Sequence, residues 1–341
     1  MSDRAPRVLH VHDCAFTAQN LVDHARAVGL AWRFLPPAAP AGTRWDGPAG
    51  QARKIVVGGA WTTRLLAGSR WADLLHVHAA TTVRHVAWTR TPYVVHLHGS
   101  DITPRLYEPG YRHHVLRALH DARAVVYATP DLWEHVRDIR PDAVHLPQPV
   151  HVAGLPAWRP AERPTVVFAS RWLAKKGSHI QVEIARRLVA AVTDDVDVVG
   201  LDWGPDVEAA RDTGMRLVPP VDHASYLDML SHAHVVVGQC GGLLSVSEVE
   251  ALVMGVPLLA PVVAAWYPDP PPVLGPGNQP PRDAVPPPLG EEQLRRAVGD
   301  VLDALHDPVG TSRRLNPRSW AIRHHDRARS VETLAELYAR L

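Results

Sequence analysis

The chain has 341 residues, with 36 basic and 35 acidic side chains and a formal net charge of +1. Because this length is greater than that of a chain with one ordinary hydrophobic core, we expect two α/β domains. The near-zero net charge and the absence of an apolar run of roughly 18 residues predict no nucleic-acid partner and no integral membrane segment. Two cysteines and no signal-peptide pattern predict a cytoplasmic protein.

Short apolar strands alternate with helical patterns in the first half of the chain. Residues 36–50 are rich in Pro, Ala and Gly and predict a loop, whereas 55–66 has features of both a strand and a helix. The predicted strands are 7–12, 32–35, 74–77, 93–97, 124–128 and 143–146, and the predicted helices are 18–28, 111–120 and 130–136. This alternation predicts a doubly wound parallel sheet.

A proline-punctuated segment, 147–164, predicts a linker to a second alternating series. Its predicted strands are 166–169, 195–200, 215–218, 234–238 and 257–260, and its predicted helices are 178–190, 206–212, 223–232, 245–254, 291–306 and 319–340. We expect a first domain at 1–150, a second at 151–318, and a C-terminal helix, 319–341, that packs back on the first. Two such domains would face a central cleft, with ligands beyond the carboxyl ends of the strands.

The segment 234–261 has the most specific pattern in the chain. An apolar strand leads into a turn with Gly241 and Gly242, and Ser245 followed by Glu248 is a helix capping box. A glycine turn that enters a helix presents backbone N–H groups, which suit a phosphate. The donors expected here are the backbone N–H groups of Leu243, Leu244 and Ser245, and Gly242 in the same turn is a further expected contact of the substrate.

The helix in this segment carries a family signature. Residues 250–257, EALVMGVP, resemble the E-A-[LM]-x-x-G-x-P motif of retaining GT-B glycosyltransferases of the family 4 type. The resemblance implies the GT-B fold and a role for Glu250 in binding the ribose hydroxyls of a nucleotide-sugar. A carboxylate accepts hydrogen bonds from both hydroxyls of a diol. Taken alone, Glu250 would be a solvated helix residue.

A second match follows the first strand of the second domain. Residues 170–177, SRWLAKKG, resemble the family element G-R-L-x-x-x-K-G, with Ser170 in place of the first glycine. The resemblance implies that Arg171 and Lys176 bind the donor phosphates and stabilise the charge of the leaving group. The alternative is a solvated basic turn, and Lys175 is expected at the surface.

A third match follows a strand of the first domain. Residues 96–101, HLHGSD, are similar to the family's H-G-x-D element. The resemblance implies that His98 contacts the donor sugar and Asp101 takes part in acceptor binding. A hydrogen-bonded histidine at a strand end is the alternative.

The remaining histidines receive no role from the sequence. The chain has 21 of them, and motifs with metal-ligand spacing such as H-E-x-x-H are absent. We therefore expect no metal site. Number alone gives no role to the histidines near strand ends, which are His10, His12, His76, His78 and His96. His78, which follows a strand, is a candidate for lining the cleft.

Weaker matches lie between the two strong ones. Residues 199–205, VGLDWGP, resemble the family's V-G-x-G-P loop with one additional residue. The resemblance places 217–221, which includes Pro220, near the nucleobase. The alternative interpretation of Trp203 is that it packs between secondary-structure elements.

The sequence departs from the family pattern at two places. Gly242 stands where the family has a glutamate that binds the donor sugar, and Gln239 is the side chain expected to replace that contact with a neutral amide. Glu248 is no substitute, because the capping box accounts for it. The glycine-rich loop after the first strand is also missing, and residues 13–17 stand there.

These matches predict a retaining glycosyltransferase. It would move a sugar from a nucleotide-sugar, with UDP or GDP as the expected nucleotide, to a small-molecule, glycan or lipid-linked acceptor, without a further cofactor. One alternative, motivated by Gly242, is a weak or inactive glycosyltransferase-like protein that binds a nucleotide-sugar or a partner. Another is a GT-B sugar-nucleotide 2-epimerase, which would interconvert epimers without an acceptor.

Overall fold

The computed structural model describes residues 4–40, 42–277 and 285–341. They form two compact units. The N-terminal unit comprises the residues up to Pro149 together with Arg327–Leu341, and the C-terminal unit is Val150–Asp326. Part of the proline-rich segment 267–289 lies outside the described residues. No helix in the described part of the chain is both long and apolar enough to cross a membrane.

The N-terminal unit contains one parallel sheet of six strands. The strands are β1 (Val8–Val11), β2 (Trp32–Leu35), β3 (Leu74–His78), β4 (Tyr93–Leu97), β5 (Ala124–Tyr127) and β6 (Val144–His145). Their order is β2-β1-β3-β4-β5-β6, so the direction of winding reverses between β1 and β3. The six strands predicted from the sequence are confirmed.

Five helices of the N-terminal unit precede the C-terminal unit in the chain. They are α1 (Thr17–Ala27), α2 (Gly47–Trp71), α3 (Val83–Val86), α4 (Pro109–Asp121) and α5 (Trp133–Val136). The helix α2 corrects the sequence prediction, which gave a loop up to residue 50 and an undecided segment after it. Its only buried residues are Leu65 and Ser69, so it lacks the apolar stripe by which helices are recognised.

The C-terminal unit contains a second parallel sheet, with five strands. They are β7 (Thr165–Phe168), β8 (Asp197–Leu201), β9 (Arg216–Val218), β10 (Val235–Val237) and β11 (Leu258–Leu259), in the order β11-β10-β7-β8-β9. The helices are α6 (Ser178–Ala191), α7 (Val207–Arg211), α8 (His223–Ser231), α9 (Val246–Met254), α10 (Glu291–His306), α11 (Pro308–Leu315) and α12 (Pro317–His325). Apolar residues of β7 and β10 are fully buried between these helices.

The last helix, α13 (Arg327–Ala339), belongs to the N-terminal unit. The single helix predicted over 319–340 is therefore wrong. Asp326 has extended backbone angles, φ −64° and ψ 125°, which end α12 before α13 starts. The residues Leu334 and Tyr338 of α13 join the core that covers one face of the N-terminal sheet, together with Leu21 of α1.

Candidate functional site

Two sequence motifs meet at one edge of the C-terminal sheet. The strands β7 and β10 are parallel neighbours, with Phe168 opposite Val237, although β8 and β9 separate them in sequence. The winding of the sheet reverses between them. Such a switch point, beyond the carboxyl ends of the strands, is where doubly wound sheets bind ligands. The loop after β7 carries Arg171 and Lys176, and the loop after β10 carries the glycine turn.

The loop after β7 is held by Trp172. This residue is fully buried, and its indole Nε1 donates a hydrogen bond of 2.8 Å to the carbonyl of Leu201. The next loop approaches closely, because a Cβ added at Gly204 would lie 2.2 Å from the Trp172 carbonyl oxygen. The guanidinium of Arg171 lies 5.4 Å from the ring centre of Trp203, which is 50% exposed. The Nε of Arg171 is buried without a hydrogen-bond partner among the described residues.

Lys176 is tied directly to the glycine turn. Its carbonyl oxygen accepts the backbone N–H of Cys240 at 2.9 Å. Gly177 has a left-handed φ of +71°, and a Cβ there would lie 2.8 Å from the Cys240 carbonyl oxygen. The lysine loop and the turn are thus packed backbone against backbone. Lys176 is half-buried, whereas Lys175 is exposed, as the sequence predicted.

The glycine turn follows a buried amide, that of Gln239. Gly242 has a φ of +88°, a conformation that favours glycine and disfavours a glutamate. The side chain of Gln239 is 4% exposed, and its Nε2 has no hydrogen-bond partner among the described residues. A buried amide N–H without an acceptor is a rare feature and suits a ligand with an acceptor oxygen.

Glu248 holds the start of α9 together. Its Oε1 accepts the N–H of Gln239 at 2.9 Å and its Oε2 accepts the N–H of Ser245 at 2.8 Å. The carboxylate is fully buried, and a Cβ at Gly238 would lie 2.5 Å from its Cγ. The predicted capping box is confirmed, and this carboxylate has no oxygen left for a sugar.

The backbone donors of the turn are fewer than the sequence predicted. The N–H of Leu244 donates to the Tyr267 hydroxyl at 2.9 Å, and that of Ser245 is bound by Glu248. These two donors, expected for a phosphate, are already used inside the protein. The N–H groups of Leu243, Val246 and Ser247 have no partner among the described residues.

Glu250 is buried beside a histidine that the sequence analysis did not identify. The carboxylate is 4% exposed, and its Oε1 lies 2.8 Å from His223 Nε2. The hydrogen bond to Glu250 raises the pKa of His223 above its usual value. No motif links residue 223 to residue 250. The one available signal was that Asp222 and His223 begin a helix next to the predicted base-binding segment.

A hydrogen bond connects the Glu250 region to the end of β7. The Tyr226 hydroxyl, one turn after His223 in α8, donates to the Ala169 carbonyl at 2.8 Å. Ala169 lies two residues before Arg171. Pro220 is exposed in the segment between β9 and α8, before Asp222 caps α8 by accepting the N–H of Ser225. Helix α8 is therefore bonded both to Glu250, through His223, and to the end of β7, through Tyr226.

In the N-terminal unit, Asp101 fixes the loop that contains His98. Its Oδ1 accepts the N–H of His98 at 2.9 Å and its Oδ2 accepts the N–H of Ala80 at 2.8 Å. The carboxylate is 5% exposed. This bonding gives Asp101 a role in positioning the backbone, and its expected part in acceptor binding stays a prediction. His98 is half-buried, and burial lowers its pKa to about 3.

Five histidines on the N-terminal sheet form a cluster that the sequence did not predict. Its members project from neighbouring strands onto one face of the sheet, and burial lowers the pKa of each. They are His10, His76, His78, His96 and His98. The available signal was the pattern H-x-H, which occurs at the ends of three predicted strands.

Comparisons with known proteins identify the fold. No protein-family model and no curated protein sequence matches the chain. HepE of Anabaena, solved in complex with UDP and with UDP and glucose, is 13% identical with a TM-score of 0.67, covering 98% of this chain and 100% of that chain. A UDP-forming alpha,alpha-trehalose-phosphate synthase from Burkholderia xenovorans is 11% identical, with a TM-score of 0.64 and 98% of each chain covered. TarM is 13% identical, with a TM-score of 0.56, covering 78% of this chain and 54% of that chain.

At these identities the similarity shows the fold alone. The chain has the GT-B fold, as predicted from the sequence. A fold of this kind supports several chemistries, so function has to be argued from the residues of the site.

Proposed function

We propose that the chain is a retaining glycosyltransferase whose donor is a UDP-sugar bound by the C-terminal unit. The observation that supports this most is the set of contacts at the switch point that link the loop of Lys176 to the glycine turn, and the end of β7 to the helix that carries His223, the partner of Glu250. HepE, a structural neighbour, has been solved with UDP. This favours UDP over GDP as the nucleotide to test first.

Each residue has a distinct task in this proposal. Arg171 and Lys176 bind the diphosphate, and the free Oε2 of Glu250 accepts a ribose hydroxyl. The Gln239 amide, which lacks an acceptor in the protein, donates to a sugar hydroxyl. The N–H of Leu243 and those of the first turn of α9 face the phosphate. Pro220 lies near the base, and the contact of His98 with the sugar stays a prediction from the sequence.

The reaction breaks the bond between the anomeric carbon and the phosphate oxygen. The electron pair stays on that oxygen, so the leaving UDP gains negative charge that two fixed cations stabilise. The acceptor oxygen attacks on the same face, and its proton passes to the departing phosphate. No separate carboxylate base is needed, which agrees with the engagement of Glu248 by the backbone.

A second candidate is a protein that binds UDP-sugar without efficient turnover. Gly242 has no side chain, its backbone conformation disfavours a glutamate, and Glu248 has no free oxygen. The donor sugar therefore lacks the carboxylate contact of the family. An epimerase remains the third candidate and would convert the sugar without an acceptor.

Nucleotide binding followed by product analysis tests the proposal. Thermal unfolding is measured with UDP, GDP, dTDP and ADP and their sugars, since a ligand at ~100 times its Kd adds ~2.7 kcal/mol of stability. We expect UDP to stabilise the protein, and UDP-sugar with acceptors to yield UDP and a product of retained anomeric configuration by NMR. Binding without release of UDP would favour the second candidate, and epimer formation the third. No stabilisation by any nucleotide would refute all three.

A further inference from the structure

Three histidines converge at the carboxyl end of the N-terminal sheet. His78 ends β3 and lies in register with His96 of β4, and His98 follows β4. One ring nitrogen of each residue lies within 4.8 Å of the others. His78 Nδ1 and His98 Nε2 are 3.1 Å apart. The cluster is beside the β1–β3 switch point, the place in such a sheet where ligands bind.

The outward nitrogens of two of these rings are held by other histidines. His78 Nε2 lies 3.1 Å from His10 Nδ1, and His96 Nδ1 lies 3.1 Å from His76 Nε2. The His76 ring is in turn hydrogen-bonded to the Tyr338 hydroxyl. Protein metal ligands are typically oriented in this way, since the nitrogen away from the metal bonds to a fixed partner. The arrangement leaves His78 Nδ1 and His96 Nε2 to face the cluster.

Hydrogen bonds among the residues do not satisfy His96. If the Tyr338 hydroxyl donates to His76 Nδ1, the His76 proton is on Nε2 and donates to His96 Nδ1. The proton of His96 then lies on Nε2, which is buried without a partner among the described residues. A buried polar group without a partner is destabilising. A cation on His96 Nε2 reverses the direction of both hydrogen bonds and leaves every nitrogen of His96 and His76 with a partner.

The nature of the donors limits the choice of metal. All three are imidazole nitrogens, which suit Zn²⁺ and its neighbours, whereas Ca²⁺ and Mg²⁺ prefer oxygen. The nearby Asp101 carboxylate is fully engaged by the N–H groups of Ala80 and His98. Three imidazoles with a fourth position open to water form a known zinc arrangement.

We propose that His78, His96 and His98 bind one Zn²⁺ ion through His78 Nδ1, His96 Nε2 and His98 Nε2. His10 and His76 act as positioning residues for two of these ligands. The ion enters from the side of His98, which is half-buried. This inference uses residues of the N-terminal unit alone and does not depend on glycosyl transfer. With Nε2 on the metal, the proton of His98 is on Nδ1, which is buried without a hydrogen-bond partner among the described residues.

Metal binding to the full chain tests the proposal directly. The chelator-treated protein is equilibrated with Zn²⁺ and its metal content measured, and Co²⁺ replaces Zn²⁺ for visible absorption spectra. We expect one ion per chain for the wild type and the strong absorption of four-coordinate Co²⁺. His96→Gln and His98→Gln should each lose stoichiometric binding. His113→Gln, which removes an exposed imidazole on α4, is the matched control and should bind as wild type.

A variant of the positioning residue His10 distinguishes the proposed site from the neighbouring group of His10, His76 and His78. His10→Gln should retain the ion with about 10- to 100-fold weaker affinity, as changes to ligand-orienting groups do. Because His10, His76 and His78 also lie close together, loss of the ion in His10→Gln with full binding in His98→Gln would overturn the ligand set. A wild type that binds no more Zn²⁺ than His96→Gln would overturn the site itself. Circular dichroism of each metal-free variant confirms that the comparison is between folded proteins.

Discussion

His223 and Glu250 form a half-buried pair, with His223 Nε2 2.8 Å from Glu250 Oε1. The pair joins the first residue of α8 to the middle of α9. One carboxylate oxygen of Glu250 is thus already bound within the protein, and a ribose would contact the other oxygen or displace the imidazole. His223 therefore affects both the stability of the C-terminal unit and the availability of Glu250.

The first prediction concerns pH and stability. The hydrogen bond to Glu250 raises the pKa of His223 above 6.5. A raised folded pKa gives stability that is fully present below the unfolded pKa and is lost as pH rises through the folded pKa. The Tm of the wild type should therefore exceed that of His223→Gln by more at about pH 6 than at about pH 9. His179→Gln, on the exposed face of α6, is the control. A Tm difference that does not change with pH would contradict the pairing.

The second prediction concerns the ribose contact. Glu250→Gln keeps the size of the side chain and removes its charge. A hydrogen bond to a charged group is worth about 1.5–3 kcal/mol, so UDP affinity should fall roughly 10- to 100-fold by calorimetry. Glu332→Gln, exposed on α13, should leave the affinity unchanged. Equal UDP affinity of Glu250→Gln and wild type would remove Glu250 from the nucleotide site.

The third prediction uses two adjacent lysines as a matched pair. Lys176 is half-buried against the glycine turn and Lys175 is exposed. Lys176→Ala should raise the activation free energy of sugar transfer by about 2.7–4 kcal/mol, which lowers kcat roughly 10²- to 10³-fold. Lys175→Ala should change kcat little. Equal losses in the two variants would indicate a general effect of positive charge and not a fixed phosphate contact.

The fourth prediction concerns the contact between the two loops. In Gly177→Ala the new Cβ would meet Cys240, and the φ of +71° is strained for alanine. Destabilisation of about 1–3 kcal/mol is expected in denaturant unfolding. Gly59→Ala in α2 is the control, since nothing lies within 4 Å of its Cβ position and alanine favours a helix by about 1 kcal/mol. A tolerated Gly177→Ala would mean that the loops can move apart.

The sequence predicted the sheets well because each strand is a short apolar run followed by a break. The capping box of Ser245 and Glu248 was also readable, since it is local and both partners lie within four residues. The sequence predicted more free backbone N–H groups in the glycine turn than the structure has, for a different reason. Their bonds to Tyr267 and Glu248 are set by packing, and nothing near Leu244 in sequence indicates the Tyr267 hydroxyl.

Features that depend on long-range pairing were missed. His223 meets Glu250 across 27 residues, and His76 meets Tyr338 across 262 residues. The expectation of no metal rested on spacing along one helix, whereas the histidines here lie on separate strands. Repetition of H-x-H at three strand ends becomes informative only when the strands are known to be neighbours.

The helix α13 has a consequence for how the protein is made. Its residues Val331, Leu334 and Tyr338 complete a core whose other side comes from β1 and α1. On the ribosome, all of Val150–Asp326 is synthesised before α13 emerges. The C-terminal unit is one continuous segment and can fold during translation, while the N-terminal unit must wait with an open apolar face. Synthesis should therefore reverse the usual order in which the N-terminal domain folds first, and nascent chains stalled before residue 327 should be the ones that recruit chaperones.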